Sequence, residues 1–444
     1  MKNLIVYSAL AVFFIVYTAL LLGFNTKRRE VVVAKNVAFK SILARSAKSK
    51  RAYFYPFIHK DKNIILRKSN EALRNFYLSM DSMTNGFTKK VNIVHIGDSH
   101  IQADLFSGKL RENFHKDSSV GNGGRGFVFP YSAIRTNNPY NLKVTYTGYW
   151  TGCRNIERDK SCDWGLAGMT ATTYDPNATF SIDPNTQAPL GVNYPVTRVK
   201  VFYDTHNPAS YQVSLLNENV VMSRHIDEKG FVEFRLQKPV DKIIIGFEKT
   251  NSRQTSFTLQ GISIENDATG VQYHSVGVNG AEVTSYLRTP LFENNLAVLN
   301  PDLVIVSLGT NDAYMMQFDE KAFKRNYGML IQRIKRAAPH ASILLTTPGD
   351  CFRRRRYPNF NNAKAVKQIM DLAEETESAV WNFYEVMGGL KSMQKWQSNG
   401  LAAADRVHLT RKGYTLQGNL LYDALMNDYY TSSGQLSKLR DTRF

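Results

Sequence analysis

Cysteine is scarce in this chain, with three residues in 444, and no Cys and His fall at the spacing of a zinc site. Internal repeats and low-complexity tracts are absent, which excludes solenoids and tails of biased composition. Acidic residues are also few: 38 Asp and Glu stand against 56 Lys and Arg, a net charge of +18. Such a balance favours an anionic partner, whether nucleic acid, phospholipid or an acidic wall polymer, and says nothing of fold. The basic residues are not interleaved with aromatics in a nucleic-acid module, so nucleic acid is set aside. A hydrophobic share of 43% excludes general disorder, and the length suggests two or three structural units.

One long apolar run is present. Residues Leu4 to Phe24 carry no charge and are long enough to cross a hydrocarbon core of ~30 Å as a helix. No small-x-small cleavage site follows it, so an uncleaved anchor over residues 1–27 is expected, with a basic tether over 28–62. Lys27, Arg28 and Arg29 lie on the C-terminal side of the run and, by the positive-inside rule, favour a cytoplasmic body. Cys153 and Cys162 stand nine apart in a loop-like segment, where they are either a disulfide of an oxidising compartment or two free thiols.

The body alternates between two rhythms. "VNIVHIG" from Val91, "DLVIVSLG" from Asp302, "SILLTTPG" from Ser342 and "AVWNFY" from Ala379 have the continuous apolar character of buried parallel strands. Helical stripes accompany them: Leu73, Phe76, Tyr77 and Met80; Phe323, Tyr327, Leu330, Ile331 and Ile334; Leu420, Leu421, Ala424 and Leu425. This predicts a doubly wound α/β sheet. Residues 140–267 instead alternate with period two, as in Val199, Val201 and Tyr203 or Val232, Phe234 and Leu236, with turn clusters between the runs. An inserted β-sandwich subdomain is expected there.

Ligands of open α/β sheets sit beyond the carboxyl ends of the strands. Gly97-Asp98-Ser99-His100 follows the first run, Gly309-Thr310-Asn311-Asp312 follows another, and Asp405-Arg406-Val407-His408 precedes the last helix. Acyl transfer needs such parts. A serine is a weak nucleophile without a neighbouring imidazole, the imidazole needs a carboxylate to fix its tautomer, and the developing oxyanion needs fixed donors. Ser99, His408 and Asp405 suit the first three roles; the Ser99 N–H and the Asn311 amide suit the fourth. Each stretch alone is an ordinary turn, loop or helix start with an N-cap. Their occurrence together, in this order and at these element ends, is what points to chemistry.

These blocks resemble those of the SGNH (GDSL-type) hydrolases over roughly Asn92 to Arg135 and Tyr273 to Leu425. The resemblance implies a three-layer, flavodoxin-like parallel sheet and a Ser99-His408-Asp405 triad that uses no metal or cofactor. It also implies a glycine N–H in the oxyanion hole, and "HSVGVNGAEV" places that role on Gly280, with Gly277 as the alternative and the glycines of Gly121 to Phe127 as a weaker one. His100 stands where leucine often follows the nucleophile, and 181 positions separate Ser99 from Gly280. "GDSH" with an inserted sandwich resembles the periplasmic peptidoglycan O-acetylesterases, whose inserted module is similar to carbohydrate-binding domains.

The expected organisation is therefore a membrane anchor (1–27), a tether (28–62), a hydrolase domain in two parts (63–139 and 268–430) around the insert (140–267), and a tail (431–444). The expected activity is removal of O-acetyl groups from a cell-wall glycan, peptidoglycan first, with a polysaccharide O-acetyltransferase or a non-catalytic glycan-binding protein as alternatives. The expected place is the inner membrane, single-pass, with the catalytic part periplasmic. Arg353, Arg354, Arg355 and Arg356 follow a strand end and are candidates for holding a carboxylate-bearing substrate, against a plain solvated loop. Trp381 and Trp396 are candidates for stacking on sugar, Trp381 more naturally as core. His95 is expected to be a satisfied core histidine, and His100 to make a supporting hydrogen bond.

Overall fold

Six strands form the central sheet of the computed structural model, which describes residues 55–185, 192–217 and 221–441. They are β1 (Ile65–Leu66), β2 (Lys90–Gly97), β3 (Gly270–Gly277), β4 (Leu303–Ser307), β5 (Ser342–Thr346) and β6 (Ala379–Trp381), in the order β1-β6-β5-β4-β2-β3. All neighbours from β2 to β6 pair in parallel, and only β1 runs antiparallel, on β6. The five parallel strands thus follow the 2-1-3-4-5 order of the flavodoxin-like topology, whose crevice opens between β2 and β4. Ser99 follows β2 and Asn311 follows β4.

The four expected apolar runs are β2, β4, β5 and β6. β3, "GVQYHSVG", was not expected as a strand. It is buried along its whole length, yet its Gln272, His274 and Ser275 break the apolar run that marks its neighbours. Both faces of the sheet are covered. Val94, Ile96, Val304, Val306, Ile343 and Leu345 share one cluster with Tyr327, Leu330 and Ile334 of α1 (Glu320–Ala337) and with Ile369 of α2 (Asn361–Thr376). The alternate residues Ile93, Ile305 and Leu344 are also fully buried. On the other side, the long helix Arg411–Asp441 packs against Phe106–Lys116, with the Phe114 and Tyr422 rings edge-on at 5.1 Å. Tyr77 of the helix Arg74–Thr84 donates to Asp428 at 2.5 Å, and Arg67 pairs with the same carboxylate.

Between β2 and β3 the chain forms antiparallel sheets. One has five strands in the order Val221–Asp227, Phe231–Val240, Val196–Phe202, Gly261–Glu265, Gly126–Val128; others of four and three strands lie between Lys143 and Leu259. Their aromatic centre is Trp150, stacked on Phe180 at 4.3 Å and edge-on to Phe247 at 5.4 Å. One apolar cluster runs continuously from these sheets to Val276, Val94 and α1. Cys153 and Cys162 are bonded, which decides between the two readings of that pair, and Trp164 donates to the Cys153 carbonyl at 3.1 Å. The apolar run Leu4 to Phe24 and most of the tether lie outside the described residues. Among the described residues no helix is long and apolar enough to cross a membrane.

Candidate active site

β2 ends against its neighbours with no room for side chains. A Cβ on Gly97 would lie 2.3 Å from Ile101 Cγ1 and 2.8 Å from the Ser307 carbonyl oxygen, and one on Gly277 would lie 2.2 Å from the Gln102 nitrogen. Close approach, rather than a left-handed backbone, is the reason for glycine at these two strand ends. Asp98 then caps the short helix Ser99–Gln102: its Oδ1 accepts from the His100 N–H at 3.0 Å, and its carbonyl accepts from Ile101 and Gln102. Ser99 is left at the helix start, half-buried at the sheet's carboxyl edge.

Ser99 Oγ lies 2.9 Å from His408 Nε2, and His408 Nδ1 lies 2.7 Å from Asp405 Oδ2. The loop that carries both groups is set by its own backbone. Arg406 adopts φ 57°, while Asp405 Oδ1 accepts from the Val407 and His408 N–H groups at 2.9 Å each. Burial works to raise the Asp405 carboxyl, but these two N–H bonds and the bond and charge of His408 outweigh it, so its pKa falls. An ionised Asp405 fixes the proton on Nδ1 and leaves Nε2 as the acceptor facing the serine. Thr410 does cap the following helix, accepting from the Gly413 N–H at 3.2 Å, and the histidine two residues earlier still points at Ser99.

The oxyanion donors are placed unequally. Gly280 is exposed at φ 81°, and among the described residues its N–H meets no acceptor. Gly277 pairs with Gly97 in the ladder, and Gly123 and Gly126 lie against the backbone of β3. Asn311 comes from the helix Thr310–Tyr314 after Gly309, which needs its φ of 115°. The Asn311 Nδ2 donates to the Ala281 carbonyl at 2.9 Å and to Asp98 Oδ2 at 3.2 Å. Asp312 accepts from the Val283 N–H at 3.2 Å, so Asn311 and Asp312 both tie the Gly309–Asp312 stretch to the Gly280 loop. Burial raises both the Asp98 and Asp312 carboxyls to about 7, against the N–H bonds they accept.

His95 is a core residue, as expected, with Nδ1 2.7 Å from the Tyr273 hydroxyl and Nε2 2.6 Å from Ser307 Oγ. His100 makes the expected supporting bond, with Nδ1 2.7 Å from the Tyr414 hydroxyl and its ring centroid 5.1 Å from that of His408. Burial, then repulsion from His408, lowers it to about 3 and keeps it neutral. The partner Tyr414 was missed: "LTRKGYTLQG" shows only a helix start. Trp381 and Trp396 are corrected as sugar platforms. Both are fully buried, donating to Asn63 Oδ1 and to the Met387 carbonyl at 2.9 Å each.

Arg353 to Arg356 occupy the hairpin between Phe352–Arg353 and Tyr357–Pro358, with Arg354 and Arg355 in the left-handed region. This hairpin touches the triad loop: Phe352 N–H donates to the Arg406 carbonyl at 2.9 Å, and the Arg406 guanidinium donates to the Arg355 carbonyl at 3.0 Å. Exposed Tyr357 and Phe360 stand beside it. Among the described residues no cluster of His, Cys, Asp and Glu could hold a metal ion.

Residues 248–416 match the GDSL-like lipase/acylhydrolase family, a stretch that includes Gly280, Asn311, Asp405 and His408 but begins after Ser99. The isoamyl acetate-hydrolyzing esterase of Schizosaccharomyces pombe is 27% identical over 154 residues, which are 32% of this chain and 56% of that protein. The chain thus spans about half the length of the curated relative it matches. A solved structure described as "Peptidoglycan O-acetylesterase in action, 5 min" superposes with a TM-score of 0.69 at 23% identity, covering 83% of this chain and 99% of that one. This last likeness establishes the shared fold.

Proposed function

We propose, from the premise that this chain carries a domain of the GDSL-like lipase/acylhydrolase family, that it is a serine esterase removing O-acetyl groups from a cell-wall polysaccharide, peptidoglycan first. The observation that carries the reading is the unbroken hydrogen-bond chain from Ser99 through His408 to Asp405. Ser99 Oγ attacks the acetyl carbonyl carbon while His408 Nε2 takes its proton, and Asp405 stabilises the imidazolium. The carbonyl oxygen becomes an oxyanion that the N–H groups of Ser99 and Gly280 receive. Asn311 joins them by exchanging its bond to Asp98 for one to the anion. Collapse breaks the bond to the sugar oxygen, which leaves with the proton from His408. Water, deprotonated by the same imidazole, then attacks the acetyl-serine and releases acetate.

The anionic character of the substrate is supported by the chain's charge and by the arginine hairpin against the triad loop, with Tyr357 and Phe360 as exposed faces for a sugar ring. We read the antiparallel sheets of the insert as a β-sandwich that grips glycan. The solved structure that shares the fold is described as a peptidoglycan O-acetylesterase, which agrees with this choice. The bonded Cys153 and Cys162 favour an oxidising compartment, and with the apolar run near the N-terminus they support a membrane-anchored body in the periplasm. A reporter fused after Phe444 that works only in the cytoplasm would contradict that placement. The activity is tested by acetate release from O-acetylated peptidoglycan. Native protein is expected to release it and Ser99→Ala to fall to background; equal release would remove Ser99 as the nucleophile.

A further inference from the structure

Arg353 is half-buried and Arg354, Arg355 and Arg356 are exposed, and none of the four pairs with a carboxylate among the described residues. Elsewhere Arg333 and Arg336 share Glu293, and Arg198 holds Asp267. Four consecutive guanidiniums without a counter-charge repel one another, and an anion among them removes that repulsion. Arg354 and Arg355 stand at φ 49° and 63°, where glycine or asparagine would make the turn with less strain. Arginine at these two positions therefore serves by its side chain, not by its backbone.

The hairpin is also stapled to both catalytic loops. On one side the Arg406 guanidinium donates to the Arg355 carbonyl at 3.0 Å and lies 5.3 Å from the Phe352 ring centre, while Phe352 N–H donates to the Arg406 carbonyl at 2.9 Å. His408 follows Arg406 by two residues. On the other side Arg354 N–H donates to the Tyr314 hydroxyl at 3.0 Å, and the side-chain amides of Asn359 and Asn361 donate to the Ala313 carbonyl at 3.0 and 3.2 Å. Ala313 and Tyr314 belong to the short helix that carries Asn311. An anion bound to the hairpin is thus held in a fixed relation to the base and to an oxyanion donor.

We propose that the hairpin is the specificity element of this site: it binds a carboxylate of the acetylated glycan and so orients the ester at Ser99. The inference rests on the esterase reading above and adds what decides between substrates. A guanidinium fork takes a carboxylate through two parallel bonds, which defines direction as well as place. Binding energy gained at a non-reacting part of the substrate then appears as orientation at the reacting one, so a glycan without the carboxylate loses kcat and not KM alone. A neutral acetylated polysaccharide is a poor substrate on this account. Peptidoglycan has two sources of the carboxylate, the lactyl group of its sugar acid and the peptide attached there, and the chemistry at the hairpin is the same for both.

The test uses the full chain and O-acetylated glycan oligomers in three forms: with free lactyl carboxylates and no peptide, with the peptide, and with the peptide and every carboxyl amidated. Acetate release gives kcat and KM, and binding to Ser99→Ala protein is read by calorimetry. Expected are a kcat at least about tenfold higher on a charged form than on the amidated one, tighter binding of that charged form, and loss of both preferences in Arg354→Gln/Arg355→Gln. A preference shown by the peptide-free form assigns the lactyl carboxylate, and one confined to the peptide form assigns the peptide. Equal kcat on charged and amidated forms overturns the assignment while the esterase stands, as does a preference that survives the glutamine pair. Acetate from none of the forms sinks the esterase reading instead, and the binding preference of the Ser99→Ala protein, present or absent, then decides the hairpin.

Discussion

Asp405→Asn separates the electrostatic role of Asp405 from its architectural one. Oδ1 holds the loop through two N–H bonds of 2.9 Å, which the asparagine carbonyl oxygen can keep. Oδ2 faces His408 Nδ1 at 2.7 Å, and there the variant presents an N–H donor. A donor at that place forces Nδ1 to accept, which moves the imidazole proton to Nε2, the atom 2.9 Å from Ser99 Oγ. The base then faces the nucleophile already protonated. The expected loss in kcat is roughly 10³ to 10⁴-fold, about 4 to 5.5 kcal/mol of transition-state stabilisation. Fold stability should barely move, because the His408 and Asp405 side chains are each 40% exposed and a pair so placed contributes under about 1 kcal/mol. Hydrolysis of a simple aryl acetate, with kcat and KM separated, and a thermal melt of the same preparations make the measurement. A kcat within tenfold of native, with an unchanged melt, would refute the assignment of Asp405 as the group that sets the tautomer.

Two glycines of the oxyanion segment should respond unequally to alanine. Gly277→Ala drives a Cβ to 2.2 Å from the Gln102 nitrogen, in backbone that cannot yield, and should cost roughly 3 kcal/mol or more in urea unfolding. Gly280→Ala meets nothing closer than Ile156 Cδ1 at 3.8 Å and carries only the strain of φ 81°, about 1 kcal/mol; equal costs would contradict the geometry. Asp98 gives a pH signature. Its folded carboxyl is raised by burial to about 7, so unfolding releases a proton between about pH 4 and pH 7, and stability falls as pH rises through that window. Relative to Asp98→Asn, which cannot titrate, native protein should lose up to about 1.4 kcal/mol per pH unit there; parallel stability curves would show that the carboxyl ionises normally in the fold.

The parts of the fold that were legible in the sequence are those buried on both faces by apolar side chains alone. β2, β4, β5 and β6 announce themselves as valine, isoleucine and leucine runs. β3 does not, because His274 accepts from the Phe127 N–H at 3.0 Å and Ser275 bonds Asp104, and such internal bonding makes a buried strand look polar. At the site, Ser99, Asp405 and His408 were named from their places beside element ends. Tyr414 and the engagement of Asn311 by Asp98 were not, because they depend on which way a side chain turns. The insert explains why the family match begins after Ser99: 181 positions part the nucleophile from Gly280.

That separation also bears on how the molecule is made. β2 needs β3 and β4 as neighbours, and His408 lies 309 positions beyond Ser99, so the sheet has high contact order and its centre is assembled late. A chain emerging from the ribosome completes the antiparallel insert before β2 has either partner. The antiparallel sheets can therefore collapse first and bring Gly126, ahead of the insert, beside Glu265 near its end, in one sheet where Ile264 pairs with Gly126. With those residues fixed, the gap that β2 and β3 must close is short, and hydrolytic competence appears only once the last helix has been synthesised.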